Sequence, residues 1–313
     1  MRAVAASLSF LMAVVPGTSL AADCGLQNTF SHTVKVGKDK FEQRPIFQGE
    51  SGSRAFFFTT NFAVNTDGAP NSYHPDDPGG NGGKAINTIC NGVNVHKQDR
   101  TKLDYRNCSE LITQYRLAKA SGWAVSGVPR VDFYGIATSD GNRFGQPCII
   151  SEGPFAGYFV SQTALPADTS RPFCDQARYL NALDLPFTIV PRNSRFTAQG
   201  VGRGDAVVLF NPQTAVLEYA VVGDIGPSDG LGEASVFLAN SLRKKQVLPR
   251  TRKETYNLAV TKVHALFLPD ARISPPYTLS RIREEGANAF QAWGGRARLD
   301  ACIAEHGNPS GRR

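Results

Sequence analysis

The sequence predicts a β-dominated α+β fold, in which a compact, barrel-like sheet carries a few peripheral helices. Short runs rich in β-branched and aromatic residues recur along the chain and are bounded by glycine and proline. Two of these runs flank Asn211-Pro212-Gln213-Thr214, a turn sequence that predicts an antiparallel hairpin. Helical periodicity is limited to a few segments, so strands are expected to outweigh helices.

The predicted strands are spread over most of the chain. They are His32–Val36, Ala55–Val64, Val131–Ile136, Gly157–Val160, Phe187–Val190, Ala206–Phe210, Ala215–Val222 and Val263–Leu268. The pattern predicts a helix over Ser109–Ala120, with Ser109 as its cap and Gly122 at its end. A second helical pattern runs from Leu279 to Ala304 and is broken at Gly294-Gly295.

The N-terminus has the pattern of a secretory signal peptide. Arg2 precedes an apolar run, Ala3–Val15, and Ser19-Leu20-Ala21 follows, so cleavage is expected after Ala21. The apolar run is shorter than the ~20 residues that a membrane-spanning helix needs. We therefore predict a signal peptide over residues 1–21 and a secreted or periplasmic protein, with no membrane partner after cleavage.

The chain that remains after cleavage is long enough to bury a sizeable core. We expect one large domain over residues 22–270 and a C-terminal helical extension over residues 271–313. No internal repeat or heptad pattern suggests self-assembly, and we expect a monomer.

All six cysteines lie outside the predicted signal peptide. An even number of cysteines in an exported protein predicts up to three disulfides, whose pairing the sequence leaves open. No two cysteines have C-x-x-C spacing, and the chain holds only 5 histidines. We therefore predict neither a metal site nor a cofactor.

The formal net charge of +7 is unevenly distributed. Residues 243–253 carry six bases and no acid, whereas residues 204–240 carry five acids and no base. Nucleic-acid binding would require aromatic side chains among the basic residues, and the basic run has none. We therefore expect no nucleic-acid partner, and a candidate site that is acidic on a basic protein.

The stretch Leu217–Leu242 combines a strand, a glycine-rich loop and a helix. Asp224 ends the strand, and Glu233 is predicted to enter the helix on the same face as Phe237. Two carboxylates on either side of such a loop are able to act as an acid and a base in one cleft. Local pattern alone favours a structural alternative, in which Asp224 forms a turn and Glu233 complements the helix dipole.

The run G-D-x(7)-G-E-A-S, from Gly223-Asp224 to Gly232–Ser235, resembles the chitosanases of glycoside hydrolase family 75. The Gly204-Asp205 pair with its hairpin, and Thr60–Gly68 upstream, are also similar to that family's pattern. The similarity extends over roughly residues 50–268 and is most specific around the two acids. It implies that residues 22–270 form a catalytic domain that hydrolyses chitosan or a related amino-sugar polysaccharide.

The resemblance also implies a role for each acid. Asp224 would be the general base that activates water, and Glu233 the general acid that protonates the leaving oxygen. The reaction would invert the anomeric centre and cut within the polysaccharide, and inversion calls for carboxyl groups about 6.5–9.5 Å apart.

Candidate substrate-binding residues lie upstream, in and after the strand that ends near Val64. They are Asn65, Asp67 and Tyr73, with the Tyr73 ring expected to stack on a sugar. The alternative is a polar surface turn, because the loop from Ala69 to Gly83 is rich in Pro, Gly, Asn and Asp. Asp76 and Asp77 lie in the same loop, with a spacing that fits no calcium loop.

The sequence departs from the family's pattern before Asp67-Gly68. Fungal members have an acid-rich run there, whereas this chain has Ala63 and Asn65. Chitosan is a polycation, so the loss of acids leaves its binding less well supported than the reaction type. Peptidoglycan and partly acetylated glycans are alternative substrates. A rival of another class is a non-catalytic exported module that binds carbohydrate or an anionic polymer through its basic surface.

Overall fold

The computed structural model describes residues 23–37, 40–49, 54–123 and 129–307. Its strands are β1 (Leu26–Gly37), β2 (Lys40–Gly49), β3 (Phe56–Asn65), β4 (Val93–His96), β5 (Lys102–Leu103), β6 (Arg130–Phe133), β7 (Phe187–Pro191), β8 (Asp205–Asn211), β9 (Val216–Gly226), β10 (Glu233–Ser235) and β11 (Val260–Arg272). The helices are α1 (Cys108–Ala120), α2 (Arg195–Ala198), α3 (Val236–Leu242), α4 (Arg252–Tyr256), α5 (Leu279–Trp293) and α6 (Gly295–His306). The predicted β-dominated α+β class is confirmed.

Six strands form a closed barrel in the order β3-β10-β7-β9-β8-β11, because β11 pairs with β3 as well as with β8. The β3–β10 and β7–β9 pairs are parallel, and the other pairs in the barrel are antiparallel. The hairpin β1–β2 extends the sheet from β3. Closure satisfies the backbone hydrogen bonds that an open sheet leaves at its edges.

The barrel core is built from strands whose side chains are withdrawn from solvent on both faces. Every residue of β8 is buried, and Phe56, Phe57 and Phe58 of β3 are fully buried. The Phe196 ring of α2 lies 5.5–5.7 Å from the rings of Phe30, Phe56 and Phe58. These apolar runs explain why five of the six barrel strands were predicted correctly, β10 being the one that was missed.

Two of the sequence predictions need correction at this level. Gly157–Val160 is not a strand, since it makes only an isolated bridge between Ile149 and Phe159. The helix α1 begins at Cys108, so Ser109 lies inside its first turn instead of capping it. The residue at the cap position is Asn107, whose side chain makes no capping hydrogen bond.

A second, smaller unit lies beside the barrel. It consists of the sheet β5-β4-β6 and α1, and it has its own apolar core around Tyr73, Tyr115 and Phe159. The disulfide Cys90–Cys108 ties α1 to the segment that precedes β4. This small unit forms one wall of the cleft described below.

The C-terminal helices α5 and α6 pack on the barrel and share its core. Phe290 and Trp293 of α5 belong to the same apolar cluster as the barrel strands. Arg283 forms a two-pronged ion pair with the buried carboxylate of Glu218 on β9, with Nη2–Oε2 at 2.6 Å. The predicted break between the helices is confirmed at Gly294, whose φ of 127° ends α5.

All six cysteines are paired, as Cys24–Cys302, Cys90–Cys108 and Cys148–Cys174. Three disulfides are consistent with an exported protein. The predicted signal peptide lies outside the described residues. Within the described ranges, no helix combines the length and apolar character that crossing a bilayer requires.

Candidate active site

A cleft of about 1250 Å³ lies between the barrel and the small sheet. The barrel contributes Asn65, Asp67, Asp224 and Glu233 to its lining. The small unit contributes polar side chains, among them Asn94 of β4, Asp132 of β6 and Tyr134 directly after β6. Four of the five predicted site residues therefore line one cleft.

A β-bulge places Asp224 in the cleft. On β9, Val222 pairs with Thr188 and Asp224 pairs with Ile189, so Gly223 is an extra residue in the ladder. The bulge turns the Asp224 side chain to the face opposite to that of Val222, whereas simple alternation would put both on one face. Only glycine fits at the bulge, because a Cβ there would lie 2.7 Å from the Cβ of Phe187.

Three donors hold the Asp224 carboxylate. Oδ1 accepts hydrogen bonds from the backbone N–H groups of Ala164 and Ile225, both at 2.9 Å, and Oδ2 accepts one from Asn65 Nδ2 at 3.0 Å. Burial raises the pKa of Asp224, and these three hydrogen bonds together with Arg192 oppose the rise. Oδ2 keeps one lone pair free for a further donor.

The structure corrects the predicted position of Glu233. It belongs to the short strand β10 and pairs with Ala63 of β3, so it is not in the first turn of a helix. The helix α3 starts three residues later at Val236, and Ser235 caps it by accepting from the N–H of Leu238. Phe237 therefore shares no helix face with Glu233, and the helix dipole does not explain this acid.

A close backbone approach sets the position of β10. Gly232 has a φ of +82°, and a Cβ at this residue would lie 2.3 Å from the carbonyl oxygen of Asn61. The carbonyl of Gly232 accepts from the N–H of Ala63 at 2.9 Å, which starts the pairing with β3. The glycine-rich loop thus seats Glu233 against β3.

The environment of Glu233 differs from that of Asp224. Burial first, and then the charge of Asp224, raise the pKa of Glu233 to about 7. No hydrogen bond from another described residue offsets these two effects. A carboxyl of this kind is half protonated near neutral pH, which is what a general acid requires.

The strand register explains how the two acids meet. Ala234 pairs with Thr188, so Glu233 is level with Ile189, and Ile189 in turn pairs with Asp224. Residues level with one another on paired strands face the same side. The two acids are thus two strands apart, which at about 4.8 Å per strand spaces their Cα atoms by roughly 10 Å.

Asp67 adds a third carboxyl to this cluster. Its Oδ1 accepts from Tyr73 Oη at 2.6 Å, and its backbone N–H donates to Asn65 Oδ1 at 2.7 Å. Burial and the charges of Asp224 and Glu233 raise the pKa of Asp67 well above its usual value, against the effect of the Tyr73 hydrogen bond. Asn65 joins two of the acids, because its amide also contacts Asp224.

Tyr73 does not have the predicted role. Its side chain is only 1% exposed and belongs to the core of the small unit, so the ring has no face to offer a sugar. Its hydroxyl donates to Asp67 and accepts from Asn87 Nδ2 at 3.2 Å. Tyr73 is therefore a residue that positions Asp67. The sequence around Tyr73 could not distinguish a buried ring of this kind from an exposed ring that stacks on a sugar.

The cleft also contains residues that sequence reasoning missed. Tyr105 and Tyr256 line it with side chains that are 43% and 49% exposed. Five basic residues also line it, namely Lys35, Lys102, Arg106, Arg143 and Arg192. These residues come from segments far apart in sequence, and no local motif joins them.

Among the described residues, one group brings together at least three potential metal ligands, namely Cys24, Glu305 and His306. Cys24 is bonded to Cys302 and so has no thiolate to offer. This group lies at the N-terminal disulfide and contributes nothing to the lining of the cleft.

Comparison with known proteins identifies no family for this chain. No protein-family model matches it, and no curated protein is similar to it. Function is therefore argued from the cleft itself.

Proposed function

We propose that this protein is an exported glycoside hydrolase that cuts within a glucosamine-containing polysaccharide and inverts the anomeric centre. The observation that carries the proposal is the contrast between two carboxyls in one cleft. Asp224 has three hydrogen-bond donors, whereas Glu233 has none among the described residues and a pKa of about 7. Two neighbouring acids with different environments are the usual arrangement for a base and an acid in glycoside hydrolysis.

In the proposed reaction, protonated Glu233 gives its proton to the glycosidic oxygen as the C–O bond breaks. A water molecule attacks the anomeric carbon from the opposite face and loses a proton to Asp224. Two backbone N–H groups already occupy Oδ1 of Asp224, so the water would bind at the free lone pair of Oδ2. The position of Glu233 on a strand supports its role, because no helix dipole holds it ionised.

The spacing of the acids supports inversion over retention. Retaining enzymes place their carboxyls about 5–5.5 Å apart, and inverting enzymes leave about 6.5–9.5 Å for the water. One strand, β7, lies between the strands of Asp224 and Glu233, and its Ile189 is level with both acids. That register favours the wider spacing.

The lining of the cleft supports a polysaccharide substrate. Sugar rings stack on exposed aromatic side chains, and Tyr105 and Tyr256 are both partly exposed in the cleft, with Lys35 over the Tyr105 ring and Arg252 over the Tyr256 ring. Amide side chains that suit sugar hydroxyl groups also line it, namely Asn65, Asn87, Asn91, Asn94 and Gln162. The paired cysteines support the secreted or periplasmic location that such a substrate would require.

The test is Glu233→Gln, assayed for reducing ends released from chitosan, partly acetylated chitosan and peptidoglycan glycan strands. We expect kcat to fall by about 10³-fold on the substrate that the wild type cleaves, because the amide cannot donate the proton, while glycan binding persists. Glu284→Gln, a change at an exposed acid of α5, is the matched control.

Two outcomes would contradict the proposal. Wild-type protein that binds these glycans yet releases no reducing ends from any of them would favour the non-catalytic carbohydrate-binding module. Proton NMR of the first product formed gives the second: retention of the anomeric configuration would exclude Asp224 as the base for water.

A further inference from the structure

The basic residues of the cleft fall into two groups. Arg106 and Arg143 are paired with acids, with Arg106 Nη2 at 2.6 Å from Asp104 Oδ2 and Arg143 Nε at 2.6 Å from Asp132 Oδ1. The other three cleft cations are Lys35, Lys102 and Arg192. None of these three forms an ion pair with an acid among the described residues.

Arg192 is held in place by a neutral partner. Its backbone N–H and its Nε both donate to the carbonyl oxygen of Gly226, at 3.1 and 3.0 Å. These contacts leave its two terminal nitrogens without a protein partner in the described structure. Its charge acts on both Asp224 and Tyr134, which places it between the acid cluster and the small sheet.

Lys35 contacts an exposed aromatic ring. Its Nζ lies 4.9 Å from the centroid of Tyr105 and 3.4 Å from the Tyr105 hydroxyl. Lys102 is exposed on β5 in the same cleft. Two cations without an acidic partner, one of them held against an aromatic ring, suit a sugar that carries an acidic substituent.

Most acids of the cleft interact chiefly with groups other than these three cations, although the charge of Arg192 also acts on Asp224. Asp104 and Asp132 are engaged by arginines, and Asp67, Asp224 and Glu233 form the barrel cluster with raised pKa values. Asp229 is the one further acid in the lining. When the acid cluster and the two ion pairs are set aside, the cleft lining therefore has three cations and one acid, Asp229.

We propose that Lys35, Lys102 and Arg192 form a subsite for carboxylate groups on the substrate. The substrate class is then an amino-sugar polysaccharide that carries carboxylates, and polycationic chitosan is the poorer substrate. This inference rests on the proposed function, because the subsite belongs to the same cleft. A guanidinium binds a carboxylate through two parallel hydrogen bonds, whereas the ammonium groups of chitosan would be repelled at this end of the cleft.

Three polymers that share a β-1,4-linked amino-sugar backbone test the charge preference directly. They are carboxymethyl chitin, which is anionic, glycol chitin, which is neutral, and chitosan, which is cationic. Binding is measured with the Glu233→Gln variant, so that the polymers stay intact. We expect carboxymethyl chitin to bind at least about tenfold more tightly than glycol chitin in 20 mM salt, with most of the difference lost in 0.5 M salt, where the screening length is only a few ångströms.

Substitutions locate the subsite. Adding Arg192→Gln and Lys102→Gln to the Glu233→Gln background should abolish most of the preference for carboxymethyl chitin. Adding Lys244→Gln and Arg250→Gln removes the same charge from exposed positions outside the cleft and should keep that preference. A preference for chitosan, or one for carboxymethyl chitin that survives the cleft substitutions, would overturn the inference.

The failure of this inference and the failure of the proposed function give different results. Wild-type protein that cleaves glycol chitin and chitosan but shows no preference for carboxymethyl chitin would be a hydrolase without the carboxylate subsite. Protein that cleaves none of the three polymers and no peptidoglycan glycan strands would contradict the hydrolase, and the binding series would still decide whether the carboxylate subsite exists.

Discussion

Two regions of the molecule withdraw a carboxyl from solvent, with opposite effects on its pKa. One is the loop from Asp77 to Ala85, called here the Asp77 loop, and the other is the part of the barrel that holds Glu233. Asp77 accepts hydrogen bonds from the backbone N–H groups of Asn81, Gly82, Lys84 and Ala85, at 3.0–3.1 Å. Burial alone would raise its pKa, but these donors lower the pKa below the usual value. In the barrel, burial and then the charge of Asp224 raise the pKa of Glu233 to about 7, and no hydrogen-bond donor among the described residues opposes the rise.

The difference shows that burial by itself does not decide the charge of a carboxyl. Backbone donors lower the pKa of Asp77 and so favour the anion that organises a loop, and their absence leaves Glu233 able to hold a proton. Asp224 is intermediate, with burial opposed by three donors. The same side-chain chemistry thus stabilises a loop in one region and, in the other, has the environment that the proposed proton transfer requires.

The largest expected effect is a loss of activity when the proposed general base, Asp224, is replaced. Asp224→Asn should lower kcat by about 10³-fold, equivalent to about 4 kcal/mol in the barrier, because an amide cannot take a proton from water. The new amide would also place an N–H₂ group against Asn65 Nδ2 or the backbone donors. The measurement is the initial rate of reducing-end release.

Asp270→Asn is the control for this change, since Asp270 is a surface acid paired with Arg54. Activity within tenfold of wild type after Asp224→Asn would reject Asp224 as the base. It would leave Asp67 as the remaining carboxyl in the cluster to test.

The Asp77 loop should respond in stability. Asp77→Ala leaves four backbone N–H groups without their shared acceptor, and we expect the free energy of unfolding to fall by about 3 kcal/mol. Chemical denaturation at pH 7 measures this loss. Asp76→Ala is a matched control next along the chain, because Asp76 makes only an exposed ion pair with Lys119 and should cost less than about 1 kcal/mol.

Equal losses in the free energy of unfolding for the two variants would contradict the view that hydrogen bonds from backbone N–H groups to Asp77 stabilise the loop. The comparison is direct because the two acids are adjacent in sequence and differ mainly in what surrounds them.

The pH dependence of stability should distinguish Glu233 from Asp77. The folded-state pKa of Glu233 is about 7 and lies above its unfolded value, so the folded protein holds a proton that the unfolded chain loses. Stability from this group is present below the unfolded pKa near 4.5 and is lost as the pH rises through 7. Glu233→Gln should therefore stabilise the protein at pH 8 by about 1–3 kcal/mol and change little at pH 4.

Thermal or chemical unfolding of both proteins at pH 4, 6 and 8 measures this effect. Glu284→Gln at the exposed surface is the control and should show no such trend. A Glu233→Gln variant whose stability differs from wild type by the same amount at all three pH values would contradict the raised pKa of Glu233.

The smallest effect is expected at Tyr73. Tyr73→Phe keeps the buried ring but removes the hydroxyl that donates to Asp67 and accepts from Asn87, at a cost of about 1–2 kcal/mol. The pKa of Asp67 should rise further without this donor, so the pH profile of activity should shift. Tyr115→Phe, which removes a hydroxyl with only a 3.4 Å contact to Pro75, should leave the profile unshifted.

The barrel could be predicted from the sequence to a useful extent. The strands β3, β7, β8, β9 and β11 coincide with predicted runs because each contains a largely buried stretch of β-rich residues. The strand β10 was missed because three residues between a glycine and a helix cap carry no periodicity. Its strand geometry comes from pairing with β3, at a distance of about 170 residues along the chain.

The identities of Asp224 and Glu233 as candidate acids came from the sequence, where a strand, a glycine-rich loop and two carboxylates stand together. The sequence placed Glu233 on a helix and Tyr73 in the cleft, and both placements were wrong. Burial of Tyr73 depends on a small core assembled from α1 and β4–β6, which no local pattern around Tyr73 encodes.

The sequence by itself determined five of the six barrel strands, where the long C-terminal helices break, and that six cysteines would pair. Local burial patterns and glycine positions are enough for that. Only the tertiary structure decided the protonation of the acids, the partners of the cysteines and the charge of the cleft. Those properties depend on which hydrogen-bond donors and cations arrive from distant segments, and only the closed barrel and the small sheet bring them to one place.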